Sequence, residues 1–209
     1  MTEKILSAIH DGDWEAIEDF IADKDKNLNG YEIKSKHSDR KTPLIVAIEE
    51  HDTKIVKLLL AAKVDVNITS TKRAFNALIR AVYADEYNMV DILIRLTKDI
   101  NYQQPSTGRG ALLLAVSNGY RDIAELLIRK GADVNVQDKN GRTVLNEALR
   151  SGDIKLFNLI LSAKPTLLET PERPLMFDSS TKKFKEKYDT FVLHQKNLKK
   201  LGKYASLMD

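Results

Sequence analysis

The stretch GADVNVQDKNGRT, residues 131–143, decides how this chain folds. Its glycines, aspartates and asparagines before a basic end look at first like a ligand loop. However, the phrase ADVN, which ends at Asn135, has counterparts in VDVN and KDIN, which end at Asn67 and Asn101, so the three asparagines lie 34 residues apart. A fixed period near 33 residues marks stacked repeats. The loop is therefore predicted to join two repeats, because a phosphate loop would need a preceding strand and a Lys-Ser or Lys-Thr pair close behind.

The segment downstream of each such phrase reads as two short helices. Residue types favoured as helix N-caps fall in register at steps of 34, 34 and 33 residues: Thr42, Asn76, Gly110 and Thr143. Alanine recurs five residues after each of them, where neighbouring helices must approach closely: Ala47, Ala81, Ala115 and Ala148. Apolar residues follow at helical spacing, and a single unit would leave them exposed to water. The pattern predicts an all-α fold of stacked helix-turn-helix units.

The sequence resembles the ankyrin repeat family, most clearly over residues 38–165, with a divergent first unit that begins near residue 6. The segments that carry the resemblance are TPL at 42–44, DTKIVKLLL at 52–60, NGYRDIAELLIRKGADVN at 118–135 and DKNGRT at 138–143. The resemblance implies an ankyrin solenoid in residues 1–165, with repeats at about 1–36, 37–67, 68–101, 102–135 and 136–165. Residues 166–209 are predicted to form a linker and a C-terminal amphipathic helix.

The glycines of the family pattern are only partly kept. Gly131 is predicted to end its helix in the left-handed conformation, and its register mates Lys63 and Thr97 should each cost about 1 kcal/mol in the same conformation. The hairpin glycine stands at 108 and 141 but is replaced by Arg40 and Ala74 in the earlier repeats. The third repeat keeps neither glycine, so it is expected to be the softest or most distorted unit.

Composition narrows the classes of function. The chain has no cysteine, which excludes disulfides and thiolate metal sites. This composition favours a protein of the reducing cell interior. A net charge of +3, with the excess of lysine and arginine in residues 166–209, is too weak to indicate nucleic-acid binding. Neither a secretory signal nor an apolar run of roughly 18 residues is present. We predict a cytoplasmic or otherwise intracellular location. A microbial effector delivered into a cell would also fit this prediction.

The resemblance implies that a protein partner binds the concave face built from hairpin tips and the exposed side of each first helix. Carried over by register, that face presents a row of basic residues with two aromatic residues inside it. These predicted partner-binding residues are Lys41, Lys72, Arg73, Phe75, Tyr83, Arg109, Lys139 and Arg142. Aromatic residues flanked by arginines are typical of interface hot spots, and the positive charge would steer an acidic partner. The alternative is that exposed hairpins are charged only for solubility.

No pattern in the sequence indicates catalysis. The four histidines are far apart, and no Ser/His/Asp arrangement is apparent. The segment DKNLNG at 25–30 imitates the start of a calcium loop, but Lys36 stands where a bidentate glutamate is needed. We therefore predict a monomeric, non-catalytic interaction scaffold without metal or cofactor.

The tail leaves three interpretations open. Its apolar side chains lie near one helical face with lysines on the other, so the helix could cover the end of the solenoid, bind a partner or lie on an anionic membrane. The last two belong to an alternative function: an effector, inhibitor or immunity-type protein whose C-terminal helix carries partner or membrane targeting.

Overall fold

The structure, a computed structural model, describes residues 2–23, 28–29, 33–34, 40–163, 185–187, 189–190 and 192–193. Within these residues the chain forms ten α-helices before residue 164, and the described tail residues are helical as well. The ten helices are α1 (Thr2–Asp11), α2 (Trp14–Ala22), α3 (Pro43–Glu49), α4 (Thr53–Ala61), α5 (Ala77–Tyr83), α6 (Tyr87–Ile94), α7 (Ala111–Asn118), α8 (Arg121–Arg129), α9 (Val144–Arg150) and α10 (Ile154–Ser162). Two short strands, β1 (Ile33–Lys34) and β2 (Arg40–Lys41), pair antiparallel in the first connection.

The helices form two layers. The first helices of successive repeats, α1, α3, α5, α7 and α9, pack against one another in order. Each second helix packs against the first helix of its own repeat, and α2 and α6 also contact α4 and α8 of the following repeats. The apolar core lies between the layers, where the recurring alanines at 47, 81, 115 and 148 are fully buried. The predicted all-α solenoid is confirmed.

The first helices begin where the sequence predicts. Thr42, Asn76 and Thr143 are N-caps whose side-chain oxygens accept hydrogen bonds from backbone N–H groups three residues on. Gly110 holds the same position, but it has no side chain with which to cap α7. Pro43 occupies the first turn of α3, where its missing N–H has no partner to lose. Local chemistry therefore fixes the register of the first-helix layer.

The ends of the second helices differ between repeats. Gly131 is left-handed with φ 90°, and Lys63 adopts φ 59° at the same position, as predicted. The prediction for Thr97 was wrong, because Thr97 is not left-handed. Helix α6 ends one residue early, and the N–H groups of Leu96 and Thr97 both donate to the carbonyl of Leu93, at 3.1 and 2.9 Å. The earlier ending spares a β-branched residue the left-handed conformation.

The hairpins between repeats pack closely on one another. A Cβ added to Gly108 would lie 2.8 Å from the backbone nitrogen of Lys139, so the hairpin of repeat four needs glycine for this approach as well as for its φ of 73°. Gly141 also has positive φ, and Ala74 adopts φ 50° in repeat three. Arg40 lies instead in β2. Repeat three forms both of its helices, and its expected softness stays a prediction.

A ladder of asparagines joins successive repeats and explains the 34-residue phrase. The side-chain oxygens of Asn29, Asn67 and Asn101 accept hydrogen bonds from the backbone N–H groups of Asp65, Lys98 and Asp133, at 2.8, 2.9 and 2.8 Å. Each bond spans one repeat boundary. The sequence showed the spacing of Asn67 and Asn101 but not the reason for it. Asn29, which the sequence suggested only as part of an imitation calcium loop, is the first member of the ladder.

Candidate functional site

Five of the eight predicted partner-binding residues line one groove between repeats three and four. The groove has a volume of about 310 Å³. The hairpins of the two repeats form its rim, and α5 and α7 supply its apolar floor. Its lining residues are Lys72, Arg73, Phe75, Ile79, Tyr83, Gln104, Ser106, Thr107, Arg109 and Leu114. The other three predicted residues, Lys41, Lys139 and Arg142, lie outside this groove.

An aromatic pair dominates the groove. The ring centroids of Phe75 and Tyr83 lie 5.9 Å apart, with the ring planes tilted by 33°. Phe75 is half-buried against the core, whereas 47% of Tyr83 is exposed. Ile79 and Leu114, both buried, line the same groove. A large exposed ring over an apolar floor is the arrangement that an interface hot spot needs, since a partner can remove much apolar area from water there.

Two arginines lie over these rings. The guanidinium carbon of Arg73 lies 6.0 Å from the Phe75 centroid, and that of Arg80 lies 5.3 Å from the Tyr83 centroid. The sequence prediction missed Arg80, although it precedes Tyr83 by three residues and so shares its helical face. Arg80 is also held by Glu49, with 3.1 Å between Nε and Oε1. No carboxylate in the described part of the chain pairs with Arg73, which leaves its charge available to a ligand.

Carboxylates interrupt the predicted basic row outside the groove. Lys41 Nζ pairs with Glu49 Oε2 at 2.6 Å. Glu147, whose side chain is only 4% exposed, forms ion pairs with Arg150 and Arg142. The distances are 2.7 Å from Arg150 Nη2 to Glu147 Oε2 and 3.8 Å from Arg142 Nη1 to Glu147 Oε1. The row is therefore not a continuous positive strip, and the sequence reasoning missed Glu49 and Glu147 as its counterions.

Arg109 connects the groove to the next hairpin. Its Nε lies 3.5 Å from Oδ2 of Asp138, whose side chain is fully buried. The other oxygen of Asp138 accepts hydrogen bonds from the backbone N–H groups of Asn140 and Arg142, at 2.8 and 2.9 Å. Asp138 thus shapes its own hairpin tip and also orients Arg109, which remains about one-third exposed at the groove.

Repeat four holds the hairpin that carries Arg73 and Phe75. Gln104 Nε2 donates to the carbonyl of Arg73 at 3.1 Å, and the Tyr102 hydroxyl donates to the carbonyl of Ala74 at 3.0 Å. Burial raises the pKa of the Tyr102 phenol, against a smaller opposing effect of its hydrogen bond with Thr69. The phenol therefore stays a neutral donor at physiological pH. These two bonds tie the hairpin of repeat three to repeat four, and a hairpin held in place before binding would lower the entropy cost of binding.

The comparison with known families agrees with this architecture. The family model described as ankyrin repeats (3 copies) matches residues 5–104 and 96–168, well over half of the chain. The chain belongs to the ankyrin repeat family. Ankyrin repeats are generally protein–protein interaction modules, and the family is typically non-catalytic. No curated protein matches the chain significantly.

Neither a metal-binding cluster nor a membrane-spanning helix is found among the residues that the structure describes. Among those residues, no group of three or more histidine, aspartate and glutamate side chains could hold a metal ion. Within the same residues, no helix has the length and apolar character needed to cross a membrane. The groove between repeats three and four, with its aromatic pair and its arginines, is the candidate functional site among the described residues.

Proposed function

We propose that this ankyrin repeat protein is a non-catalytic scaffold that binds an acidic protein partner through its concave face, centred on the groove between repeats three and four. The convergence in that groove of an aromatic pair with two arginines, Arg73 and Arg109, carries this proposal. The lining includes no carboxylate among the described residues. Arg109 is paired with Asp138, whereas no carboxylate among the described residues pairs with Arg73, so a negatively charged ligand would meet an unneutralised guanidinium at Arg73.

The two components of the groove would contribute differently. Covering Tyr83 and Phe75 removes apolar area from water, which supplies affinity and slows dissociation. The arginines at the rim accelerate association with an acidic surface, and their contribution falls as salt screens the charges. The scaffold performs no chemistry, so its biological effect depends on which protein it holds and where.

Affinity capture from a cell lysate with three baits tests the proposal. The first bait is the intact chain, and the second carries Arg73→Ala, Phe75→Ala and Arg109→Ala together. The third is a matched control with Tyr87→Ala, Arg95→Ala and Arg129→Ala, which removes one exposed ring and two arginines from the outer helices α6 and α8 and their ends. Circular dichroism establishes that all three baits are folded before capture.

The expected result is an acidic protein retained by the intact and control baits and reduced at least tenfold on the groove variant. The same purified protein should then bind the intact chain directly, with an affinity that decreases at higher salt. Equal retention by all three baits would contradict the proposal and would direct attention to the tail or the outer helices.

A further inference from the structure

The size of the groove limits what it can take from a partner. Its volume of about 310 Å³ lies at the lower end of the range for ligand pockets, roughly 300–1,000 Å³. That space suits one bulky side chain with its neighbouring backbone. The hairpins of repeats three and four flank it on one side, and α5 and α7 close it below.

The distribution of chemistry within the groove specifies the side chains it would accept. The floor is apolar, since buried Ile79 and Leu114 line the groove together with the Phe75–Tyr83 pair. The rim carries Arg73 on one hairpin and Arg109 on the next, so positive charge flanks the floor from two repeats. Exposed Ser106 adds a hydroxyl group to the lining, whereas the Thr107 hydroxyl donates to Gln104 Oε1 at 2.7 Å. An apolar side chain placed centrally would therefore have cations on both sides of it.

We propose that the groove binds an extended acidic segment of the partner in which one bulky apolar side chain stands between carboxylates. The apolar side chain packs on Tyr83, Phe75 and Leu114. The carboxylates on either side pair with the guanidinium groups of Arg73 and Arg109. This inference rests on the proposed function and names the form of the ligand, a short linear segment.

The fixed hairpin supports recognition of a short segment. Ser70, buried at the base of the hairpin, donates its N–H to the carbonyl of Phe75 at 2.8 Å, and its hydroxyl accepts the N–H of Phe75 at 3.2 Å. Together with the bonds from Gln104 and Tyr102, these contacts hold both Arg73 and Phe75 from below. A short segment makes few contacts, so it binds measurably only where the receptor loses little entropy on binding.

A peptide array tests the inference without knowledge of the partner. The array holds heptapeptides in which the central position is each of the twenty amino acids in turn. In one series the flanking residues are aspartate and glutamate, and in the second they are asparagine and glutamine. Labelled intact chain is applied, and the peptides with the strongest signal are then titrated in solution by fluorescence anisotropy.

Binding is expected only in the acidic series, and there it should be strongest with phenylalanine, leucine, isoleucine, methionine or tryptophan at the centre. Tyr83→Ala should weaken the best peptide at least fivefold, whereas Tyr87→Ala, which truncates a similarly exposed tyrosine on α6, should leave it unchanged. Arg73→Gln should weaken it at least threefold, compared with no change for Arg129→Gln in the last turn of α8.

Two results would overturn the inference. Equal binding of every acidic peptide, whatever its central residue, would show attraction by charge alone. The other is the absence of any signal on the array although the intact chain captures a protein that the triple groove variant loses. In that second case the proposed function would stand, and the partner would be recognised by a folded surface instead of a linear segment.

Discussion

Position 63 shows how a single backbone conformation is kept after its glycine is lost. Lys63 adopts φ 59° at the point where Gly131 adopts φ 90°, and its N–H donates to the carbonyl of Leu60 as that of Gly131 does to Ile128. Side chains raise the energy of left-handed backbone by roughly 1–2 kcal/mol, so repeat two retains a strained helix end. Thr97 avoids the same strain because α6 ends earlier.

Replacing these two residues by glycine should therefore have opposite effects. Lys63→Gly relieves the left-handed strain and should raise the free energy of unfolding by about 0.5–1 kcal/mol, after the greater flexibility of glycine in the unfolded chain is subtracted. Thr97→Gly gains no relief and should lower it by about 0.5–1 kcal/mol. Urea denaturation followed by circular dichroism measures both changes. Equal shifts for the two variants would contradict the assignment of left-handed backbone to Lys63 alone.

The connections between repeats depend on the asparagine ladder as well as on apolar packing. Asn67 accepts from the N–H of Lys98 at 2.9 Å and donates its own N–H and side-chain N–H to Asp65, at 2.9 and 2.8 Å. One side chain therefore orders its own turn and satisfies a backbone donor of the next repeat. Because the bond crosses a boundary, its loss affects the coupling between repeats two and three more than either helix pair.

Asn67→Ala should lower the free energy of unfolding by about 0.5–1.5 kcal/mol, the net value of a typical hydrogen bond, because the exposed N–H of Lys98 exchanges its acceptor for water. A matched control is Asn88→Ala, which changes an exposed asparagine in the first turn of α6 and should alter the free energy by less than about 0.5 kcal/mol. Hydrogen exchange locates the effect, with faster exchange expected at Lys98. Identical stability of the two variants would show that the ladder contributes nothing measurable.

The turn around Asp65 also makes stability depend on pH. Hydrogen bonds from the backbone and side chain of Asn67 lower the pKa of Asp65, the charge of Lys98 adds to this, and burial opposes it. The carboxylate thus contributes stability above about pH 4, where unfolded aspartate ionises, and this contribution is lost as pH falls through the lower pKa of the folded state. Asp65→Asn should reduce the drop in free energy of unfolding between about pH 6 and about pH 3. Parallel pH profiles for both proteins would contradict this.

At the scale of the whole molecule, the tail makes a contact with the last repeat. Lys187 Nζ donates to Asn158 Oδ1 at 2.9 Å, so the tail reaches α10 of the last repeat at this residue. Solenoid ends expose an apolar side that needs a cover. The contact of Lys187 is polar and Leu193 of the tail is 61% exposed, so all three interpretations of the tail remain predictions.

Truncation after Ala163 should retain binding of the captured partner within about twofold while lowering the midpoint of thermal unfolding by several degrees. A loss of about 1 kcal/mol corresponds to about 2–4 °C in a domain of this size. Lys187→Ala, which removes only the contact with Asn158, should change the midpoint by no more than about 2 °C. Loss of partner binding on truncation would instead assign recognition to the tail, and an unchanged midpoint would contradict the capping role.

Much of the architecture follows from the sequence alone. The period of 34 residues, the N-caps at 42, 76 and 143 and the buried alanines are set by local backbone chemistry and spacing, which any stacked array of such units must satisfy. The same register predicted that Arg73, Phe75, Tyr83 and Arg109 lie on one face. The early end of α6 was missed, although Thr97 is β-branched, unlike its register mates Lys63 and Gly131, and left-handed backbone is therefore unfavourable there.

Only the tertiary structure decided which charges the concave face offers. Arg80 reaches Glu49 of the preceding repeat, and Arg109 reaches Asp138 of the following one. Residues about one repeat apart in the chain meet only through the stacking of the helices, so the sequence pattern counted cations without their counterions. The stacking of repeat four on repeat three also forms the groove that Arg73 lines. The repeat period determined where the binding face lies, and the packing of one repeat on the next determined which part of it can attract a ligand.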